Sequence, residues 1–173
     1  MLTAFVTMLV VLGAFLLQSS VFPAISLLDI TPNLLLMVTV CFGFMRGRRF
    51  GMLVGFFCGL LIDFFFGPLL GLNALVYMYI GFFNGYFYKV FFDEEIKVPM
   101  LLVAVSDLVY GILYYGIQFA IRMRFAFPQY LMQVILPECI YTVVMTLFLY
   151  RLLHRIDKLL SDNELEGQQS PWL

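Results

Sequence analysis

Residues 51–67 read GMLVGFFCGLLIDFFFG. Gly51, Gly55, Gly59 and Asp63 recur at every fourth position of a run that is otherwise almost wholly apolar. On an α-helix a step of four residues drifts by only about 40°, so these four form one slowly slanting stripe. Glycine weakens a helix in water, but in lipid it lets a second helix backbone approach closely and gain dispersion contacts. The stretch therefore reads as a membrane helix packed tightly inside a bundle, with a carboxylate one turn beyond its last glycine. Gly81 and Gly85 repeat the device further along the chain.

The composition agrees about the solvent. Of 173 residues, 63% are hydrophobic and 12% charged, against about 45–50% and about 25% in an ordinary soluble domain. A water-soluble fold this short could not hide so much apolar surface, and the expectation is an all-α, polytopic membrane helix bundle. The net charge of -1 and the lack of a Lys/Arg cluster interleaved with aromatics argue against a nucleic-acid partner. Cys41, Cys58 and Cys139 lie in apolar runs and read as small buried hydrophobes. No Cys/His spacing suggests a metal, and no cofactor is implied.

Charges and turn residues divide the chain into six candidate spans. They are Leu2–Phe22, Pro32–Met45, Phe50–Phe66, Leu70–Phe87, Val98–Ile121 and Tyr130–Arg151, the last interrupted by Pro137. Leu2–Phe22 has neither the basic start nor the A-x-A site of a signal peptide, and is read as a retained span. Pro32–Met45, at about 1.5 Å per residue, covers only about two thirds of an approximately 30 Å hydrocarbon core. It is either partly re-entrant, turned by Pro32 and Asn33, or extended into the MRGRR loop. Residues 1–158 thus form the transmembrane domain, and the polar residues 159–173 are expected to be a disordered cytoplasmic tail.

Orientation follows from the basic residues. With both termini cytoplasmic, Arg46, Arg48, Arg49, Lys89, Lys97, Arg151, Arg155 and Lys158 lie inside, and Arg122 and Arg124 outside. Eight against two favours that orientation. The RMRF arginines read as an interfacial anchor.

Three carboxylates stand inside spans: Asp63, Asp107 and Glu138. A bare charge at the centre of a membrane helix costs at least about 2.5–3.5 kcal/mol, so such groups face protein or a water-filled cavity. Asp63, just before GPLLG, is expected near the outer interface. Asp107 shares a helix face with Gly111, Tyr114 and Gln118. Glu138 follows Pro137, whose missing N–H is expected to break the helix locally.

Gln18 in the first span, the TPNLLL opening of the second, and G-x3-G-x3-G-x3-D followed by GPLLGLNAL and Tyr77 resemble the MreD family of rod shape-determining proteins. The likeness runs over roughly residues 10–155. It implies a non-enzymatic scaffold of the bacterial inner membrane that helps maintain cell shape and peptidoglycan synthesis. The implied partners are the bitopic protein MreC and, through it, MreB, RodA and a penicillin-binding transpeptidase. It also implies a fold similar to the S components of vitamin transporters, and Glu138 would match the family's acidic residue near the start of the last span.

Two rivals follow from the residues. A small-molecule binding subunit of a vitamin-type transporter would need a cavity near the outer face, with Asp107, Gln118, Arg122, Arg124 and Glu138 as candidate polar groups. An intramembrane aspartyl protease would need Asp63 and Asp107 to share a proton, but neither stands in a GxGD context. His154, the one histidine, falls at the cytoplasmic end of the last span with no catalytic partners in a sensible layout.

Overall fold

In lipid every backbone N–H and C=O has to be satisfied within the protein, and this chain does so with helices. The computed structural model describes residues 2–21, 31–67, 70–89, 97–122 and 127–169; for Leu2, Lys89, 118–122, 127, 129 and 161–169 it describes the backbone only. Helix α1 (Leu2–Leu16) runs into a π-helical turn at Leu17–Val21. Next come α2 (Leu34–Arg46), α3 (Arg48–Phe65) and α4 (Leu72–Asn84), then a 3-10 turn at Phe87–Lys89. Helix α5 spans Lys97–Arg122. A short α6 (Phe127–Tyr130) and a π-helical turn at Leu131–Ile135 lead into α7 (Leu136–Gln169).

The stretches Thr3–Val21, Lys97–Ile117 and Leu131–Leu160 are long and apolar enough to cross a membrane, while α2 and α4 are shorter apolar helices. Helix α2 is the centre of the molecule. Every residue from Leu34 to Phe44 is buried, most of them fully. A helix that is hydrophobic all round belongs inside a bundle. Because protein rather than lipid surrounds it, α2 need not match the bilayer thickness. Leucines, phenylalanines and isoleucines of α1, α5 and α7, such as Phe5, Leu101, Ile140 and Phe148, face outward instead.

Two glycines set the reversals. Gly47, at φ +88°, is the single residue between α2 and α3, and Gly71, at φ +96°, precedes α4. Both sit in the left-handed region that side-chain-bearing residues rarely adopt. The first reversal brings basic residues to one end of the bundle. There Arg46 pairs with Asp157 of α7 and lies over the Phe50 ring, and Arg48 lies over Tyr86, 4.7 Å from its centroid. The N-termini of α2 and α4 and the C-terminus of α3 lie at the other end.

Three expectations are corrected. Pro32 precedes the second helix instead of opening it, since Asn33 is the cap and α2 starts at Leu34. Pro137 does not break the last span: the helix widens to a π turn just before it, and the Leu136 N–H bonds to the Leu131 carbonyl. That widening makes room for the proline ring and absorbs its missing donor. Finally, α7 continues to Gln169, well into the tail expected to be disordered from residue 159. With no proline before Pro171 and several good helix formers, the segment extends a helix already nucleated upstream. Residues 170–173 lie outside the described residues, as do Pro68 and Leu69 of GPLLG, Phe91–Ile96, and Arg124.

Candidate functional site

The glycine stripe is a backbone-to-backbone junction of three helices. A Cβ placed at Gly51 would stand 2.6 Å from Gly43 Cα. At Gly55 it would stand 2.8 Å from the Tyr77 carbonyl carbon, and at Gly59 2.5 Å from Ala74 Cα. At Gly85 it would lie 2.5 Å from Arg48 Cα, and Gly81 backs directly onto the Gly51 carbonyl. Real Cβ atoms do not approach backbone so closely, so each position excludes any side chain. Gly43, on α2, joins the junction and was not singled out in the sequence. Its only signal was a lone glycine in an apolar run.

Asp63 completes the stripe by capping the next helix. Its carboxylate accepts from the backbone N–H groups of Gly71 (3.0 Å), Asn73 (3.1 Å) and Ala74 (2.9 Å), and from the Asn73 side-chain amide (2.9 Å). Only 2% of the residue is exposed. The positive end of α4 and four donors replace the water that an ionised carboxylate would otherwise need. One helical turn beyond the last glycine contact is where α4 begins, which is why the carboxylate stands there.

Helix α2 is capped with the same completeness. Asn33 N–H donates to the Thr142 hydroxyl (3.0 Å), and Leu34 N–H to the Pro32 carbonyl (3.1 Å). Leu35 N–H donates to Gln18 Oε1 (3.0 Å), and Leu36 N–H to Asn33 Oδ1 (3.3 Å). All four N–H groups that a helix leaves without an internal partner are thus satisfied, two of them by residues far away in sequence. Tyr77 also donates its hydroxyl to Asn33 Oδ1 at 2.7 Å, and Tyr110 donates to Asn73 Oδ1 at 3.1 Å. Asn73, Thr142 and Tyr110 escaped the sequence reading. Asn73 was visible as a lone amide in LNAL, but nothing in the sequence named its partner.

Above these caps lies a cavity of about 230 Å³. Gln18, Asn33, Asn73 and Tyr77 form one side; Tyr110, Gly111, Tyr114, Tyr130, Ile135 and Glu138 form the other. Both π turns border it, one carrying Gln18 and the other ending at Ile135, three residues before Glu138. A Cβ at Gly111 would lie 3.0 Å from the Ile135 side chain, so that glycine lets α5 approach the second π turn. Asp107, 4% exposed, stands behind the wall beside Asn33 and Thr142, with Oδ1 unpartnered. It is close enough to Glu138 for their charges to oppose each other.

The structure therefore joins Asp107 to Glu138 and gathers Gln18, Asn33 and Glu138 around one cavity. Asp63 is engaged elsewhere, with α4, so the Asp63/Asp107 pair of a protease is not assembled. His154 stacks on Tyr150 with centroids 5.9 Å apart. The side chains of Gln118, Arg122 and Arg124 lie outside the described residues. Cys41, Cys58 and Cys139 are free and buried. Among the described residues no group of three or more His, Cys, Asp or Glu could hold a metal.

No curated protein and no solved structure matches this sequence. The family model described as rod shape-determining protein MreD matches residues 1–156. This span takes in the glycine junction, both helix caps and the cavity, and the chain belongs to the MreD family of rod shape-determining proteins.

Proposed function

We propose that the protein is a non-enzymatic scaffold of the cell-elongation machinery in the bacterial inner membrane. It crosses the membrane six times with both termini cytoplasmic. It binds an MreC-like bitopic protein, and through it acts with MreB, RodA and a penicillin-binding transpeptidase in peptidoglycan synthesis. Family membership over residues 1–156 carries this reading. The gathering of Arg46, Arg48 and Asp157 at one end of the bundle supports the orientation, since the basic end is the cytoplasmic one. Affinity purification in mild detergent tests it: a bitopic protein with a periplasmic coiled coil should be recovered, and recovery of an ATPase pair instead would overturn the scaffold.

A second reading, a small-molecule binding subunit akin to the S components of vitamin transporters, is favoured by one observation. The aromatic side chains line the polar cavity instead of filling it.

A further inference from the structure

Most polar groups around the cavity are already engaged with one another. Gln18 Oε1 holds Leu35, Asn33 Oδ1 holds Leu36 and Tyr77, and Asn73 holds Asp63 and Tyr110. The Glu138 carboxylate is the exception. Among the described residues no hydrogen bond or ion pair reaches it; only its backbone carbonyl is used, accepting from Thr142. Asp107 behind it adds a second carboxylate with an unpartnered oxygen. Asp107 has Asn33 and Thr142 beside it as polar neighbours. None of the described lining residues is Lys or Arg.

Much of the remaining wall is aromatic, with Ile62, Gly111 and Ile135 between the rings. Tyr77 meets Tyr110 edge-on at 5.3 Å, Tyr110 stacks on Tyr114 at 5.8 Å, and Tyr130 packs on Tyr115 at 5.2 Å. A carboxylate in a cavity lined by tyrosine rings is the complement of an organic cation, which ring quadrupoles attract while the carboxylate neutralises it. At about 230 Å³ the space exceeds the roughly 150 Å³ of an engineered cavity that accepts benzene.

We propose that the cavity is a binding site for a small organic cation bearing an ammonium or guanidinium group, with Glu138 as its counter-ion and Tyr110, Tyr114 and Tyr130 as its walls. The proposal rests on the second reading only in taking the cavity as a ligand site. It stands whether or not the chain serves a transporter.

The test uses the full chain purified in detergent, with benzylamine and butylamine hydrochlorides as probes and sodium chloride and sodium butyrate as controls at equal ionic strength. Saturating amine should raise the unfolding temperature by about 2–4 °C. Glu138→Gln should lose that response, while Phe64→Leu, on the outward face, should keep it. Should E138Q not fold, the wild-type chain decides: benzyltrimethylammonium chloride, which cannot be acylated, should slow carbodiimide labelling of Glu138, read by peptide mass spectrometry, several-fold more than sodium butyrate does. Equal responses to amine and sodium chloride, or an unchanged amine response in E138Q, would overturn the proposal. A response to butyrate alone would overturn the cationic chemistry but leave the cavity as a ligand site, and no response to any solute would remove both.

Discussion

A Cβ at Gly59, on the contact between α3 and α4, would stand 2.5 Å from a neighbouring backbone atom, whereas at Gly116 on α5 it would meet nothing within 4 Å among the described residues. The two halves of the molecule differ in the same way. Around α2, α3 and α4 the backbones touch and buried polar groups close on each other. Around α5 and α7 the helices touch at Gly111 and Ile135 but leave a cavity beside that contact, an unpartnered Asp107 oxygen and an unengaged Glu138. Lipid tails supply no hydrophobic force between helices, so dispersion and hydrogen bonds at short range hold such a bundle together. The closed half provides the cohesion, and the open half is where a ligand or a partner can be accommodated.

The contrast can be broken most forcefully at the junction. Gly59→Leu should abolish the folded state: the new side chain would have to displace backbone, which costs more than the about 1–3 kcal/mol of ordinary overpacking. Size-exclusion chromatography in detergent should then show aggregate only. A folded, monodisperse variant would mean the contact is looser than its geometry. Asp63→Ala should come next, since it strands four donors at the start of α4, each worth about 1–3 kcal/mol when buried and unpaired. Denaturant titration in detergent should show a large loss, with Asp63→Asn losing less because one acceptor remains. The smallest effect belongs to the open half. Gly116→Ala should be neutral or slightly stabilising, by up to about 1 kcal/mol from helix propensity alone. A clear loss there would show that Gly116 has a close neighbour after all.

How much of this was legible in the sequence depends on the distance over which each feature is decided. The stripe of Gly51, Gly55 and Gly59 follows a period of four, so periodicity alone placed it on one face. Gly81 and Gly85 were readable for the same reason. Asp63 was visible as a carboxylate at the end of that stripe, but its partners Gly71, Asn73 and Ala74 lie across a reversal whose geometry depends on Gly71 being left-handed. Gln18 and Asn33 were each singled out, yet that both cap one helix depends on α1 and α7 meeting at the start of α2. Pro137 misled because a proline inside a span ordinarily breaks a helix, and the π turn before it is a tertiary accommodation.

Composition and spacing by themselves determined that this chain is helical, belongs in lipid, and packs through glycine, because hydrophobic content and helical period are properties of consecutive residues. Only the tertiary structure decided that the short helix α2 lies at the centre, that Asp63 caps α4, and that Glu138 lines a tyrosine-rich cavity with Asp107 nearby. Those are pairings between residues far apart along the chain, and the energy that selects them exists only once the helices have come together.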